Sequence, residues 1–135
     1  MTPPSSGTCD YRIDPETRLA LVRVGGHVTG HDIARYARDL HADADWRPTY
    51  DAIWDERGIA VLDVTPEGLE EMVSAQVDKQ TGKDVVVAAR ETHETLQSLY
   101  ARLVRARGRP AVVCATLDEA VGAVGLDALP AALRW

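Results

Sequence analysis

The chain has 135 residues, the size of one domain, with 45% apolar and 27% charged residues, the balance of an ordinary soluble globular fold. A folded chain of this length buries roughly 65–70% of its unfolded surface, so it builds a core without staples, and its few cysteines supply neither a disulfide scaffold nor a four-cysteine zinc site. A formal net charge of −6 argues against a general binder of nucleic acid or anionic membranes, and no apolar run reaches the roughly 18–20 residues of a membrane span.

Residues 1–9, rich in Pro, Ser, Gly and Thr, read as a disordered tail without the basic start or apolar stretch of a signal peptide. With no disulfide framework the chain is expected in the cytoplasm, and Cys9 at the edge of the tail reads as an exposed free thiol. Tyr11–Ile13 and Leu19–Val24 form two short strands around Asp14-Pro15-Glu16-Thr17, where proline presets the turn, so the pair is a hairpin. Gly25-Gly26 breaks the second strand. Thr29 is then an N-cap with Asp32 reaching back to it. Ile33, Tyr36, Ala37 and Leu40 repeat at i, i+3, i+4 and i+7, the pattern of an amphipathic helix over 30–42.

Tyr50–Trp54 is a short strand ending at Asp55, and residues 56–64 form a connection with an extended apolar part. Thr65-Pro66-Glu67 opens a second helix with a hydroxyl cap, a proline at the first helical position and an acid against the dipole. Leu69, Met72, Val73 and Val77 face its core side, and Gly82 ends it. Asp84–Ala89 is apolar on both alternations, as in a central strand covered on both faces. A third helix over 92–107 carries Leu96, Leu99, Tyr100, Leu103 and Val104 as its buried stripe. Arg102, Arg105, Arg107 and Arg109 cluster at its end, where cations complement the dipole. Ala111–Ala115 is another buried strand, and Thr116 with Glu119 makes a capping box for a short helix over 117–124.

The order β-β-α-β-α-β-α-β-α is an α/β fold: an open, mostly parallel sheet of about five strands, with an N-terminal antiparallel hairpin and about four helices. The domain spans 10–126, followed by an apolar C-terminal tail over 127–135. Right-handed crossovers leave most helices on one face, while the two late strands ask for cover on both. Either the tail or a second copy in a homodimer supplies that cover, and the homodimer is favoured.

Open parallel sheets bind ligands outside the carboxyl ends of their strands. That end collects Asp55 and Arg57 after the third strand, Thr65 at the next helix start, and Arg90 and His93 after the fourth strand. These five are the candidate ligand or partner surface. Plainer roles exist for several of them: Asp55 as a loop cap, Thr65 as a helix cap, His93 as a solvated first-turn residue. No catalytic residue is singled out. There is no G-x-S-x-G elbow, Ser74 and Ser98 lie inside helices, and Cys114 sits in an apolar strand that raises its thiol pKa. His27 and His31 lack a third ligand, so no metal is assigned, and Gly25-Gly26 alone is no phosphate loop. No cofactor follows. The reading is of a non-enzymatic chain that binds a protein or a small apolar ligand, not nucleic acid.

A resemblance over residues 10–126 is carried by Val24-Gly25-Gly26-His27-Val28-Thr29-Gly30 and by Asp45-Trp46-Arg47-Pro48-Thr49-Tyr50-Asp51-Ala52-Ile53-Trp54-Asp55. The strand-helix-strand from Val85 to Ala115 and Asp118-Glu119-Ala120 also carry it. The chain resembles the STAS-like, sporulation anti-sigma-factor-antagonist (SpoIIAA-like) superfamily, and within it a group of small uncharacterised bacterial proteins. The resemblance implies a regulatory or protein-interaction module. In the antagonist branch a Ser or Thr in an Asp-Ser-Ser-Gly-type loop at a helix start is phosphorylated by a partner kinase. This chain lacks that tetrapeptide, and Thr65 stands at the matching helix start. Lipid-transfer domains of the CRAL-TRIO type share the fold, so the alternative implied is a small-molecule or lipid-binding domain.

Overall fold

Leu19, Ala20, Leu21 and Val22 are all shielded from solvent, so this run needs apolar cover on two faces at once. The computed structural model describes residues 6–88 and 91–135, with only the backbone of residues 91 and 92. It forms a five-stranded sheet in the order β1 (Thr8–Asp14), β2 (Leu19–Thr29), β3 (Asp51–Asp63), β4 (Asp84–Val87) and β5 (Ala111–Cys114). β1 runs antiparallel to β2, and the other neighbours are parallel. Helices α1 (Gly30–Ala42), α2 (Pro66–Val77) and α3 (Glu91–Ala106) pack on one face, over Ala20, Val22, Ala52, Trp54 and Val86. Helix α4 (Leu117–Ala123) and a 3-10 turn at Ala131–Leu133 cover the other, over Leu19, Leu21, Ile53, Val85 and Val87. This is the α/β sheet expected from the sequence. Among the described residues no helix is long and apolar enough to cross a membrane.

Helix starts follow local chemistry. Thr29 Oγ1 accepts from the Asp32 amide at 3.1 Å while Asp32 Oδ2 accepts from the Thr29 amide at 2.9 Å, a reciprocal capping box. Thr65 and Thr116 accept from the amides of Gly68 and Glu119 at 3.0 and 3.1 Å. Glu119 reaches back one residue further than a capping box, to the Ala115 amide.

Several boundaries differ from the sequence reading, each for a packing reason. β1 begins at Thr8, because Thr8 and Cys9 pair with Gly25 and Val24. Cys9 is therefore half-buried, not an exposed thiol; burial, aided by Asp10, pushes its pKa up to about 12. Gly25-Gly26 bulges β2 instead of ending it. The register slips on either side, and Gly26 holds a left-handed φ of 81°, where only a residue without Cβ is unstrained. β3 does not stop at Asp55 but runs to Asp63, because the second half of β2 supplies its hydrogen-bond partners. α2 ends at Val77, with Lys79 in the left-handed region at φ 64°. Gly82 is no helix cap; it lies against the Tyr50 carbonyl, where a Cβ would collide.

On α3, Leu99 faces out at 40% exposure, and Gln97 and Ala101 take buried positions. The second sheet face is covered from within the chain. Leu133 is fully buried there, Leu126 and Leu129 pack beside it, and Arg12 Nη1 donates to the Arg134 carbonyl. Leu133 and Leu129 thus anchor the segment 127–135 on the sheet, and the face that favoured a homodimer is covered from within the chain.

Candidate functional site

Side chains alternate across a strand, so β3 sends Asp55 and Arg57 to the α4 face and Glu56 to the helix face. Arg57 grips Asp55 with two parallel bonds, Nε to Oδ1 and Nη2 to Oδ2, both 2.8 Å, and its amide adds a third at 3.2 Å. Burial pushes the Asp55 carboxyl up, but these bonds, with the Arg57 and Arg23 charges, more than offset it and hold its pKa below the usual carboxylate value. Thr8, Asp10, Arg23 and Gly25 from the neighbouring strands complete an open cleft of about 460 Å³. Outside the cleft lining, the Trp135 ring lies 4.0 Å from the Arg23 guanidinium and 4.7 Å from that of Arg12.

The structure thus joins Asp55 to Arg57 but not to Thr65, which caps α2 beside the other face. The Thr65 hydroxyl is exposed, and after accepting the Gly68 amide it still carries its own O–H. His93 is half-buried in the first turn of α3. Arg90 lies outside the described residues. The sequence reading missed Asp10, Arg23 and Trp135. One signal was present: Arg23 is the single charge inside the apolar run Leu19–Val24, which marks a point where that face of the sheet opens to solvent. His31, considered earlier for a metal, has its Nδ1 2.9 Å from Glu71 Oε1.

No protein-family model matches the chain, and no curated protein does. Among solved structures, it superposes on an anti-sigma factor antagonist from Mycobacterium paratuberculosis with a TM-score of 0.57 and 20% identity, covering 92% of this chain and 98% of that one. It also superposes on an uncharacterised protein with a SpoIIAA-like fold from Shewanella loihica PV-4, with a TM-score of 0.58, 8% identity and the same 92% and 98% coverage. The chain has the SpoIIAA-like fold.

Within this SpoIIAA-like sheet a polar seam lies buried beneath α3, and no sequence motif announces it. Gln97 Nε2 donates to Glu56 Oε1 at 2.7 Å, and Tyr100 OH donates to Asp84 Oδ2. Burial raises the Glu56 pKa to about 7, the Gln97 bond opposes the rise, and the Asp84 and Asp55 charges add to it. Burial likewise raises Asp84, against the Arg109 charge and the Tyr100 bond. Arg109 is no member of a solvated basic cluster. It is fully buried, with Nε on the Gly82 carbonyl at 2.9 Å and Nη1 on the Gln76 carbonyl at 2.6 Å. Asp84 opens β4 and the other partners come from β3, α2 and α3, so the seam clamps the helix layer to the sheet. The Asp55 cleft, by contrast, is lined by fixed charges, with its carboxylate already satisfied by Arg57.

Proposed function

We propose that the chain is a non-enzymatic regulatory module that docks a protein partner at the Asp55–Arg57 cleft, with Thr65, at the start of α2 beside the other face, as a second and separate contact. The observation that carries this is the mutual, near-complete superposition on an anti-sigma factor antagonist, 92% of one chain on 98% of the other, so the likeness extends over the whole fold. Both places support it. Arg57 keeps 45% of its side chain exposed while the Asp55 side chain keeps 11%, so the outer edge of a preorganised guanidinium faces the solvent. Thr65 heads a helix, where an added phosphate would meet the positive end of the dipole. The charged lining of the Asp55 cleft speaks against an apolar ligand there. We take a single chain as the binding unit, since its second face is already covered, and assign it to the cytoplasm, where its two free thiols stay reduced.

The test is affinity capture from native lysate with wild-type, Arg57→Glu and Thr65→Glu chains at equal density, each first checked for folding by circular dichroism. Wild type should enrich a protein far above an empty matrix. Arg57→Glu should lose it, and the purified pair should reproduce the difference. Enrichment of nothing above the matrix, or of the same proteins by all three chains, overturns the reading.

A further inference from the structure

A cleft of about 660 Å³ opens between the C-terminal ends of α1, α2 and α3, at the end of the sheet away from Asp55. Three permanent cations line it: Arg38 from α1, Lys79 just past α2 and Arg107 just past α3, against one acid, Asp78. That balance runs opposite to the chain's formal net charge of −6. Between the cations the wall is apolar, formed by Ala42, Pro48, Ala75 and Val77. His41 adds a ring without charge. Burial, with Arg109 acting in the same sense and Asp78 against it, holds the His41 pKa down to about 4. The ring stacks on Trp46 with centroids 5.4 Å apart. Four of the closing carbonyls are engaged within the protein: the amides of Asp43, Asp78 and Gln80 take those of Leu40, Ser74 and Val77, and Arg109 takes that of Gln76. The three side-chain cations stand against the negative dipole ends of the helices.

The cations are available. Arg38 and Arg107 lie 3.1 and 3.3 Å from Glu71 and Glu70, with 53% and 45% of their side chains exposed, and exposed pairs of this kind are weak and exchange readily. Lys79 occupies a left-handed position after the helix end, where glycine is the unstrained residue. A lysine there carries a backbone cost and brings an ammonium to the rim.

We propose that this cleft binds a small amphipathic anion, its apolar body on the Ala42–Pro48–Ala75–Val77 wall and a single carboxylate or phosphate held by Lys79, Arg38 and Arg107. The volume falls within the roughly 300–1,000 Å³ of small-molecule sites. A bare inorganic ion would leave the apolar wall uncovered, and an organic cation would meet three like charges. The site shares no lining residue with the Asp55 cleft and does not include Thr65, so either proposal can fail without the other.

The experiment is an amide NMR titration of the isotope-labelled full chain with sodium octanoate and with octyl phosphate, against octyltrimethylammonium and inorganic phosphate. The two octyl anions should produce saturating shifts centred on residues 38–42 and 74–80, and the stronger of them names the head group. The ammonium and the bare phosphate should not. Lys79→Gly suits the left-handed backbone, so its spectrum elsewhere should be unchanged while octanoate binds about fivefold more weakly. Arg38→Gln combined with Arg107→Gln should remove saturation. Scattered or non-saturating shifts with both octyl anions, equal shifts with octyltrimethylammonium or bare phosphate, or unchanged affinity in Lys79→Gly would overturn the proposal.

Discussion

Glu56 makes the stability of this protein depend on pH in a window where ordinary carboxylates are silent. Its carboxyl is 6% exposed, accepts one bond from Gln97 and has its pKa raised from 4.5 to about 7, chiefly by burial. A folded-state pKa above the unfolded one means that the folded chain binds the proton more tightly. The stability this group contributes is full below pH 4.5, is lost as the pH rises towards 7 and stays lost above that. A displacement of this size corresponds to about 3 kcal/mol, most of it between pH 4.5 and about 7. Asp43, Asp55 and Glu71 have lowered values, so their contributions vanish only as the pH falls through the acid range, outside this window.

Glu56→Gln keeps an oxygen for Gln97 and removes the charge. Urea unfolding followed by circular dichroism should find the variant close to wild type near pH 5 and about 3 kcal/mol more stable near pH 8. The difference between the two proteins isolates Glu56, because Asp84, also raised by burial, is present in both. Parallel pH profiles for the two proteins would refute the reasoning.

Leu133→Ala should cost about 3 kcal/mol by opening a cavity under the second sheet face, and a loss below about 1 kcal/mol in urea unfolding would mean that the C-terminal segment is not core. Arg109→Met should cost about 3–5 kcal/mol, since it strands the carbonyls of Gly82 and Gln76 and leaves Asp84 without its cation, whereas Arg102→Met should stay within about 0.5 kcal/mol; equal effects would contradict the buried seam. Thr65→Ala should lower stability by about 1 kcal/mol through loss of the cap to Gly68, and Thr65→Asp should restore most of it, both read from thermal midpoints.

Much of this fold is legible one segment at a time. Thr29 with Asp32, Thr65 with Pro66 and Thr116 with Glu119 mark helix starts because the partner that satisfies each cap lies three residues away. Strand order and helix count follow from alternation and short connections. Of the candidate site, the sequence offered Asp55 and Arg57, which do meet, but the cleft they share with Arg23 and Asp10 joins three strands. Asp55 looked like the end of a strand since its own neighbours carry turn-forming residues. It lies mid-strand because β2 continues through its bulge and offers β3 a row of backbone partners.

Periodicity, caps and the apolar late strands were enough to specify an α/β sheet with one hairpin and four helices, because those signals act between residues a turn or a pleat apart. Where each strand stops, which arginine is buried and what covers the second face depend on groups brought together from distant segments. Gly82 and Gln76 satisfy Arg109, and Leu133 reaches Leu21 and Ile53, only after the sheet has formed and the cost of burying charge or leaving apolar surface wet has to be met across the whole molecule.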